Sequence, residues 1–303
     1  MIPEEYKKYE NTATVAAVNW KGEWGNKAAN LEKIKAKVRE ATEAGANIVC
    51  FPELALSGYE CGEEARREQK PCFMHVEAAE TVPGPSTMEV AKLAKELDTY
   101  VIFGMPERDA ENPDIGYVSA AIVGPEGILG SYRKLHLASP PRWTEYYCFR
   151  PGNELPIFET RYGPIGIQIC ADFWIYPELC RILCFKGARI IFNPVGSAAT
   201  PGRIDQMTWM TAGRGQENFV YVVSVNHVGK ERTLNYYGHS AISGPTPPRT
   251  CQILAQGGSD EEIVYATFNF KALHLARQLS PVKEKGNWKL IAREYQKLAE
   301  SAG

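Results

Sequence analysis

Apolar positions in the first part of the chain follow a helical pattern and then a strand pattern. Residues 30–41 carry apolar side chains at steps of three and four, which predicts an amphipathic helix, and Gly45 is placed to end it. Residues 47–51 then form a short apolar run that stops at Pro52, a pattern typical of a buried strand. Glu53 is therefore expected at the carboxyl end of that strand.

The same order of elements follows later in the chain. Ser86 and Glu89 have the spacing of a capping box, which predicts that a second helix begins at Ser86. This helix leads into an apolar run at residues 100–104, which predicts another strand.

Strands joined by turns are predicted in the middle of the chain. Residues 117–123 and 128–137 flank a Gly-Pro-Glu-Gly turn, and Lys134 lies near the end of the second strand. A further strand at residues 165–169 runs directly into Cys170. Lys134 and Cys170, like Glu53, are thus expected where strands end.

Residues 45–52 and 187–194 share the order Gly-Ala, apolar strand, proline, and each segment follows a predicted helix. This repetition indicates two similar halves. With the turn-linked strands, it predicts an α/β fold in which two mixed sheets pack face to face with helices outside. A last strand at residues 263–268 precedes a polar helical tail, which we expect to contact a partner subunit.

Composition narrows the class of protein. The 303 residues include 44% hydrophobic and 23% charged residues, which excludes a disordered or fibrous chain and favours one sizeable α/β domain. The formal net charge of −2 argues against a broad binding surface for nucleic acid or an anionic membrane. A small neutral or weakly charged ligand is the expected partner.

The cysteines and the amino end predict a cytoplasmic protein. Eight cysteines are too few for a disulfide scaffold, and no CxxC pair with zinc-site spacing is present, so reduced thiols and no metal are expected. Residues 1–14 lack the apolar core of a signal peptide, and no apolar stretch approaches the length of a membrane span.

Glu53, Lys134 and Cys170 form a chemically complete set if the fold brings these strand ends together. Open α/β folds bind ligands beyond the carboxyl ends of strands. A cysteine nucleophile needs a base to take its proton, and a carboxylate can serve as that base. A nearby lysine can stabilise the oxyanion that forms when sulfur attacks a carbonyl carbon.

Three segments around these residues resemble the signature segments of the nitrilase superfamily of carbon-nitrogen hydrolases. They are Phe51-Pro52-Glu53-Leu54-Ala55-Leu56-Ser57-Gly58-Tyr59, Tyr132-Arg133-Lys134-Leu135-His136-Leu137 and Gly166-Ile167-Gln168-Ile169-Cys170-Ala171-Asp172. The likeness covers roughly residues 11–295, and the order of the three segments also matches.

The resemblance implies a four-layer αββα sandwich that forms homodimers or larger assemblies and uses neither a metal nor an organic cofactor. It implies a polar tail at residues 1–10 and a single carbon-nitrogen hydrolase domain at 11–295, whose last segment would serve oligomerisation. The same resemblance implies that Glu53 is the general base, Lys134 stabilises the oxyanion and Cys170 is the nucleophile. It also implies that Glu145 is a supporting carboxylate and that the backbone N–H of Ala171 completes the oxyanion hole.

The resemblance also bears on the substrate. Nitrilases usually carry Trp-Glu after the nucleophile, whereas this chain has Ala171-Asp172, so an amide is favoured over a nitrile. An N-carbamoyl substrate, a nitrile and a catalytically silent binding protein stay open as alternatives. The expected pocket residues are aromatic and favour an apolar or aromatic acyl group: Tyr59, Trp143, Tyr146, Phe173 and Trp174.

Overall fold

Two β-sheets and their flanking helices make up the molecule. The computed structural model describes residues 2–61, 63–138, 144–247 and 250–301. The strands in these ranges are β1 Thr12–Val18, β2 Ile48–Cys50, β3 Tyr100–Arg108, β4 Gly116–Gly124, β5 Gly127–Arg133, β6 Ile165–Ile167, β7 Ile190–Val195, β8 Tyr221–Asn226, β9 Val228–Glu231, β10 Leu234–Tyr237, β11 Ala241–Thr246, β12 Thr250–Gln256 and β13 Ile263–Asn269.

The helices in these ranges lie between β1 and β8 and after β13. They are α1 Lys27–Glu43, α2 Glu63–Glu68, α3 Phe73–Ala78, α4 Pro85–Glu96, α5 Glu145–Cys148, α6 Ala171–Ile175, α7 Pro177–Phe185, α8 Arg203–Asn218, α9 Phe270–Leu279, α10 Val282–Lys285 and α11 Trp288–Ser301.

Both sheets are mixed. The first has the order β13-β1-β2-β3-β4-β5, in which β1, β2 and β3 run parallel and the outer pairs are antiparallel. The second has the order β12-β11-β8-β7-β6, with β6, β7 and β8 parallel. Strands β9 and β10 form a separate hairpin.

Alternation along the central strands creates four layers. Ile48 and Cys50 of β2 point into the core between the sheets, whereas Val49 between them packs in a second core with α1 and α4. In the other half, Phe192 of β7 faces the inter-sheet core, and Ile191 packs on the opposite face with residues of α7 and α8. Each central strand is buried on both faces, as expected for parallel strands covered by helices. The predicted αββα sandwich is thereby confirmed.

The two similar halves are also visible in the backbone. Gly45 and Gly187 end α1 and α7 with φ of 91° and 108°, a left-handed conformation that favours glycine. In each case the next residue, Ala46 or Ala188, donates its N–H to a carbonyl in the last turns of the helix, at 2.9 Å and 3.0 Å. The chain then enters a buried parallel strand, so both glycines direct a helix back onto its sheet.

Two sequence predictions about local structure were wrong. Helix α4 begins at Pro85, not Ser86, because Thr87 accepts the Gly84 N–H at 2.8 Å, while Ser86 bonds to Glu80. The strand expected over residues 128–137 ends at Arg133, since the following segment turns toward α6. Lys134 therefore lies just beyond a strand rather than inside one.

Both ends of the described chain pack on the second half of the sandwich. The ring of Tyr6, in a short 3-10 helix over Glu4–Tyr6, lies 4.6 Å from the ring of His274 in α9. At the other end, Tyr295 of α11 bonds to Glu178. The boundaries of the tail at 1–10 and of the domain at 11–295 stay predictions. Within the described ranges, no helix combines the length and apolarity needed to cross a membrane.

Candidate active site

Lys134 lies between two carboxylates at the centre of the site. Its Nζ is 2.6 Å from Glu53 Oε1 and 2.8 Å from Glu145 Oε1. Lys134 and Glu53 are fully buried, and Glu145 is only 3% exposed. Buried charges are retained in a protein only when they are paired and hydrogen-bonded. The three side chains therefore form one charged network, closed off from water.

Glu53 and Lys134 both lie just beyond the ends of strands, and this position brings them into the network. Glu53 lies three residues after the end of β2, and the neighbouring strand β3 approaches its backbone so closely that only glycine fits at residue 104. A Cβ on Gly104 would lie 2.3 Å from both Leu54 N and Pro52 O. Lys134 follows β5 directly, and its N–H donates to Val118 O at 2.8 Å, which extends the pairing with β4 by one residue.

Cys170 occupies a sharp turn between β6 and α6. Its φ of 49° and ψ of −100° are rare for a residue with a side chain, and such strain is maintained only when neighbouring contacts enforce it. Here the backbone N–H of Cys170 donates to Asn193 Oδ1 and to Pro194 O, both at 3.1 Å. The side chain is partly exposed, in contrast to Glu53 and Lys134.

Glu53 and Cys170 meet at Gly196, which follows β7. The N–H of Gly196 donates to Glu53 Oε2 at 2.8 Å and also lowers the pKa of the Cys170 thiol by hydrogen bonding. The charges of Glu53, Lys134 and Glu145 all act on that thiol. The fold therefore brings the three sequence-predicted side chains and Glu145 into one site.

Burial and charge shift the pKa values of these groups in opposing ways. Burial raises the pKa of Glu53 to about 7; the charge of Lys134 opposes this rise and that of Glu145 adds to it. Burial alone would lower the pKa of Lys134, but the charges of Glu145 and Glu53 outweigh it and raise that pKa well above its ordinary value. Burial and the charge of Glu53 raise the pKa of Cys170, although Lys134 lowers it. At neutral pH the ammonium is charged, the thiol keeps its proton, and Glu53 is poised to exchange one.

Glu145 begins α5 and is held from three sides. Its Oε1 accepts hydrogen bonds from Lys134 and from the hydroxyl of Tyr59, and its Oε2 accepts the N–H of Ala138 at 2.9 Å. Tyr59 is itself buried, and a Cβ on Gly196 would lie 2.6 Å from its ring. Tyr59 therefore forms a wall of the site beside Glu145 and Gly196.

The two residues after Cys170 contribute a backbone N–H donor and a buried carboxylate. Among the described residues, the backbone N–H of Ala171 has no hydrogen-bond acceptor, so it is available to a bound oxygen. Asp172, the next residue, is fully buried. Its Oδ2 accepts hydrogen bonds from the Tyr132 hydroxyl at 2.7 Å and the Leu135 N–H at 3.1 Å. Asp172 thereby joins the Cys170 turn to the segment that carries Lys134.

The predicted aromatic pocket residues have different surroundings. Tyr146 on α5 is 57% exposed. Phe173 and Trp174 contact each other at a ring distance of 5.2 Å and belong to the core beneath α7 and α8, against which Cys170 packs. Trp143 lies outside the described residues. Their contact with substrate stays a prediction.

Three further residues near the site have structural partners. His136 bonds through Nδ1 to Asp172 Oδ1 at 2.8 Å and stacks on Tyr176 with a ring distance of 3.5 Å. Cys180 and Cys184 are both buried in the helix-facing core.

Several residues of the site were not predicted from the sequence. Asn193 and Gly196, at the end of β7, hold Cys170 and Glu53, and the ring of His227 lies 2.6 Å from the Glu53 carbonyl oxygen. Asn193 directly precedes Pro194 and Gly196 follows it by two residues, and Pro194 is the residue that matches Pro52 in the repeat. The repeat was the sequence signal for these residues, because it matches the end of β7 to the end of β2.

The chain matches the family model "Carbon-nitrogen hydrolase" over residues 14–278. It is 35% identical over 220 residues to a probable nitrilase of Schizosaccharomyces pombe, covering 72% of this chain and 75% of the relative. It is 33% identical over 264 residues to an omega-amidase of Bos taurus, covering 84% and 88%. It is 32% identical over 264 residues to an N-carbamoylputrescine amidase of Solanum lycopersicum, covering 82% and 83%.

The fold is similar to that of a solved structure as well. Nit3 of Saccharomyces cerevisiae, a member of the nitrilase superfamily, superposes with a TM-score of 0.78 at 24% identity and covers 93% of this chain and 98% of its own. With the family model matching most of the chain and relatives above 30% identity, this protein belongs to the carbon-nitrogen hydrolase family, the nitrilase superfamily, and is a hydrolytic enzyme that acts on carbon-nitrogen bonds.

Proposed function

We propose that this enzyme releases ammonia from a small carboxamide through a thioester formed on Cys170. The observation that carries the proposal is the buried network in which Lys134 pairs with Glu53 and Glu145 beside the partly exposed Cys170. A protein that only bound a metabolite would have no need to bury this charged network next to a thiol.

In the first step the thiol sulfur attacks the amide carbon while Glu53 takes the thiol proton. The thiol of Cys170 still holds its proton before attack because its pKa is raised, and Glu53, with a pKa of about 7, can accept that proton as the sulfur attacks. The carbonyl oxygen becomes negatively charged, and the Lys134 ammonium and the Ala171 N–H donate hydrogen bonds to it. Removing one such donor from an oxyanion hole typically costs about 3–4 kcal/mol of barrier height.

In the following steps the carbon-nitrogen bond breaks and the acyl group leaves the enzyme. Glu53 returns its proton to the departing nitrogen, so ammonia is released and a thioester remains on Cys170. Glu53 then takes a proton from a water molecule that attacks the thioester, the carbon-sulfur bond breaks, and Glu53 returns the proton to the sulfur, so that the carboxylic acid is released and the free thiol is regenerated. Glu145 acts in both halves by holding Lys134 in place.

Intact-mass spectrometry tests this function directly. The wild type and Cys170→Ala are mixed with a panel of aliphatic and aromatic amides, and ammonia and adduct masses are measured. Ammonia release with a transient acyl mass on the wild type, and neither on Cys170→Ala, is expected. Ammonia release that survives in Cys170→Ala would remove Cys170 as the nucleophile.

An N-carbamoyl substrate is a second candidate, because a ureido carbonyl is open to the same attack and a relative bears the name N-carbamoylputrescine amidase. Adding ureido compounds and nitriles to the panel, each assayed by itself, separates the alternatives by which class of compound is consumed, because an amide and a nitrile of one acid give the same thioester and the same carboxylic acid. We favour an amide with an apolar or aromatic acyl group, because Tyr59 and Tyr146 flank Glu145.

We also propose that the enzyme is cytoplasmic and forms a homodimer or larger homo-oligomer. None of the eight cysteines forms a disulfide bond, which is usual in a reducing compartment. Helix α11 has no buried residue yet carries apolar side chains along its length: Leu290, Ile291, Tyr295 and Leu298. An exposed apolar stripe of this kind favours a protein partner.

A further inference from the structure

A second cluster of reactive side chains lies outside the proposed active site. Cys61, Cys72 and His75 are all buried, and their ligand atoms lie within 4.8 Å of one another. Cys148 joins them, because its Sγ is 3.3 Å from the Sγ of Cys61. Three thiols and one imidazole thus share one small buried volume.

Two distances in this cluster agree with the separation of ligands around one ion. Zinc binds sulfur at about 2.3 Å and nitrogen at about 2.0–2.1 Å in a tetrahedral arrangement, which separates ligand sulfur from ligand nitrogen by about 3.5 Å. Cys61 Sγ and His75 Nδ1 are 3.5 Å apart. The contact between Cys61 and Cys148 at 3.3 Å is closer to the separation of two ligands of one ion than to a disulfide bond of about 2.05 Å.

The surroundings orient these groups as metal ligands. His75 Nε2 lies 3.1 Å from the carbonyl oxygen of Gly58, so Nε2 carries the proton and the lone pair of Nδ1 faces the thiols. Metal-bound histidines characteristically donate their second N–H to a carbonyl or carboxylate in this way. The backbone N–H of Cys72 donates to Cys148 Sγ at 3.1 Å, a contact that supports a thiolate.

We propose that Cys61, Cys72, His75 and Cys148 bind one structural Zn²⁺. A set of three cysteines and one histidine is a donor set of closed, tetrahedral zinc sites, and soft thiolates disfavour magnesium and calcium. On binding, the thiols lose their protons to solvent, and the four ligands leave no coordination position for substrate. The ion is therefore structural, and zinc takes no part in the hydrolysis.

The position of the site indicates the structural role that the ion would have. Cys61 lies two residues after Tyr59, and Cys148 lies three residues after Glu145 in α5. Tyr59 and Glu145 are hydrogen-bonded inside the active site. Zinc would join the same two segments from the outside, and Cys72 and His75 would add the start of α3. The ion would thereby fix one wall of the substrate pocket.

Metal analysis of the full-length protein tests the proposal. The protein is produced in medium supplemented with a zinc salt, purified without chelator, and analysed by inductively coupled plasma mass spectrometry. One zinc per chain is expected for the wild type. Cys72→Ser is expected to lose most of it, whereas Cys251→Ser, which changes a thiol on β12, is the matched control and should retain one zinc.

Measurements on the wild type keep the test decisive if Cys72→Ser does not fold. Replacing zinc with Co²⁺ should produce the absorption of thiolate-to-cobalt charge transfer, and a strong chelator should lower the melting temperature, with recovery on adding zinc but not magnesium. The proposal would be overturned if the wild type held no zinc or held another metal in its place. It would also be overturned if the mass of the protein were lower by two hydrogens and this loss mapped to a Cys61–Cys148 disulfide. None of these measurements depends on amide hydrolysis.

Discussion

Asp172 holds His136 through two hydrogen bonds to one carboxylate oxygen. The backbone N–H of His136 donates to Asp172 Oδ1 at 2.9 Å, and the ring Nδ1 lies 2.8 Å from the same atom. Lys134 is two residues before His136, and Cys170 is two residues before Asp172. The pair therefore fixes the distance between the proposed oxyanion-binding lysine and the proposed nucleophile, although neither residue of the pair is part of the proposed chemistry.

Replacing this anchor should impair catalysis without abolishing binding. In Asp172→Asn one carboxylate oxygen is replaced by an NH₂ group, which cannot accept the hydrogen bonds donated by the segment after Lys134. The Lys134 segment should therefore shift. A displacement of about 1 Å at a reacting group can cost about a hundredfold in rate, and a loss of that order in kcat with a smaller change in KM is expected. Tyr132→Phe, which removes a single hydrogen bond to Asp172, is the control and should retain most activity. A kcat within twofold of wild type in Asp172→Asn would contradict the anchoring role.

The pH dependence should report Glu53. The proposed base acts as a carboxylate, and its pKa is about 7, so kcat/KM should rise with pH and level off above about pH 7. The charge of Glu145 contributes to that raised pKa, so Glu145→Gln should move the rising limb to lower pH even as it lowers the maximum rate. Tyr59→Phe removes a hydrogen bond to Glu145 but no charge, and the limb should move less. An unchanged limb in Glu145→Gln would exclude Glu53 as the titrating group.

Glu53→Gln should separate the two halves of the reaction. The amide side chain keeps the shape of Glu53 but cannot take a proton, so steady-state ammonia release should fall by at least about a hundredfold. With an activated acyl donor such as an aryl ester, whose leaving group needs no proton, acylation should still occur at a reduced rate, because the thiol then loses its proton to solvent and loss of the Glu53 charge lowers the Cys170 pKa. The thioester should accumulate because no base activates water. Intact-mass spectrometry would detect the adduct. Glu40→Gln on α1 is a matched surface control, and an adduct that hydrolyses at the wild-type rate would argue against the proposed base.

Gly104 should be intolerant of substitution. In Gly104→Ala the new Cβ would lie 2.3 Å from the backbone on either side of Glu53, and overpacking of this kind usually costs about 1–3 kcal/mol of unfolding free energy. We expect lower stability in urea unfolding and lower kcat, since the strand end that carries Glu53 must move. Gly213→Ala in α8 is the control, because nothing lies within 4 Å of its Cβ position and alanine favours helix by about 1 kcal/mol. Equal stabilities of the two variants would refute the close approach.

Helix α11 should hold a second copy of the chain. Leu298, which is 63% exposed, and Tyr295, which is 50% exposed, lie on its apolar stripe. Light scattering after size exclusion should give at least a dimer for the full chain, and Leu298→Asp should shift the mass toward a monomer at equal concentration. Lys297→Asp, next to it on the charged face, should leave the mass unchanged. A monomeric full chain would remove the proposal.

Much of the fold could be predicted because strand alternation and helix periodicity are local signals. The repeat of 45–52 at 187–194 indicated two similar halves, and the strand ends placed Glu53, Lys134 and Cys170 at comparable positions. The hydrogen bonds from Gly196 N–H to Glu53 and from Cys170 N–H to Asn193 could not be predicted in the same way, since they join residues 143 and 23 positions apart in the chain.

The cluster proposed to bind zinc shows the same limit more sharply. Cys72 and His75 are three residues apart, a spacing that one turn of helix can bring to a single ion, but the sequence predicted no metal. The other two proposed ligands are at positions 61 and 148, and the contacts of Cys148 Sγ with Cys61 Sγ and with the Cys72 N–H bring them together in the fold. Pattern searches for paired cysteines do not detect sites assembled from such distant positions.

The raised pKa of Cys170 has a consequence for the resting enzyme. A sulfur atom that keeps its proton reacts slowly with peroxide and with simple alkylating agents, because both need the thiolate. In the proposed mechanism, a molecule with a carbonyl group at the right place triggers proton transfer to Glu53 and so makes the sulfur reactive. We therefore expect Cys170 to resist oxidation between turnovers, and electrophiles shaped like an amide substrate should label it far faster than generic thiol reagents.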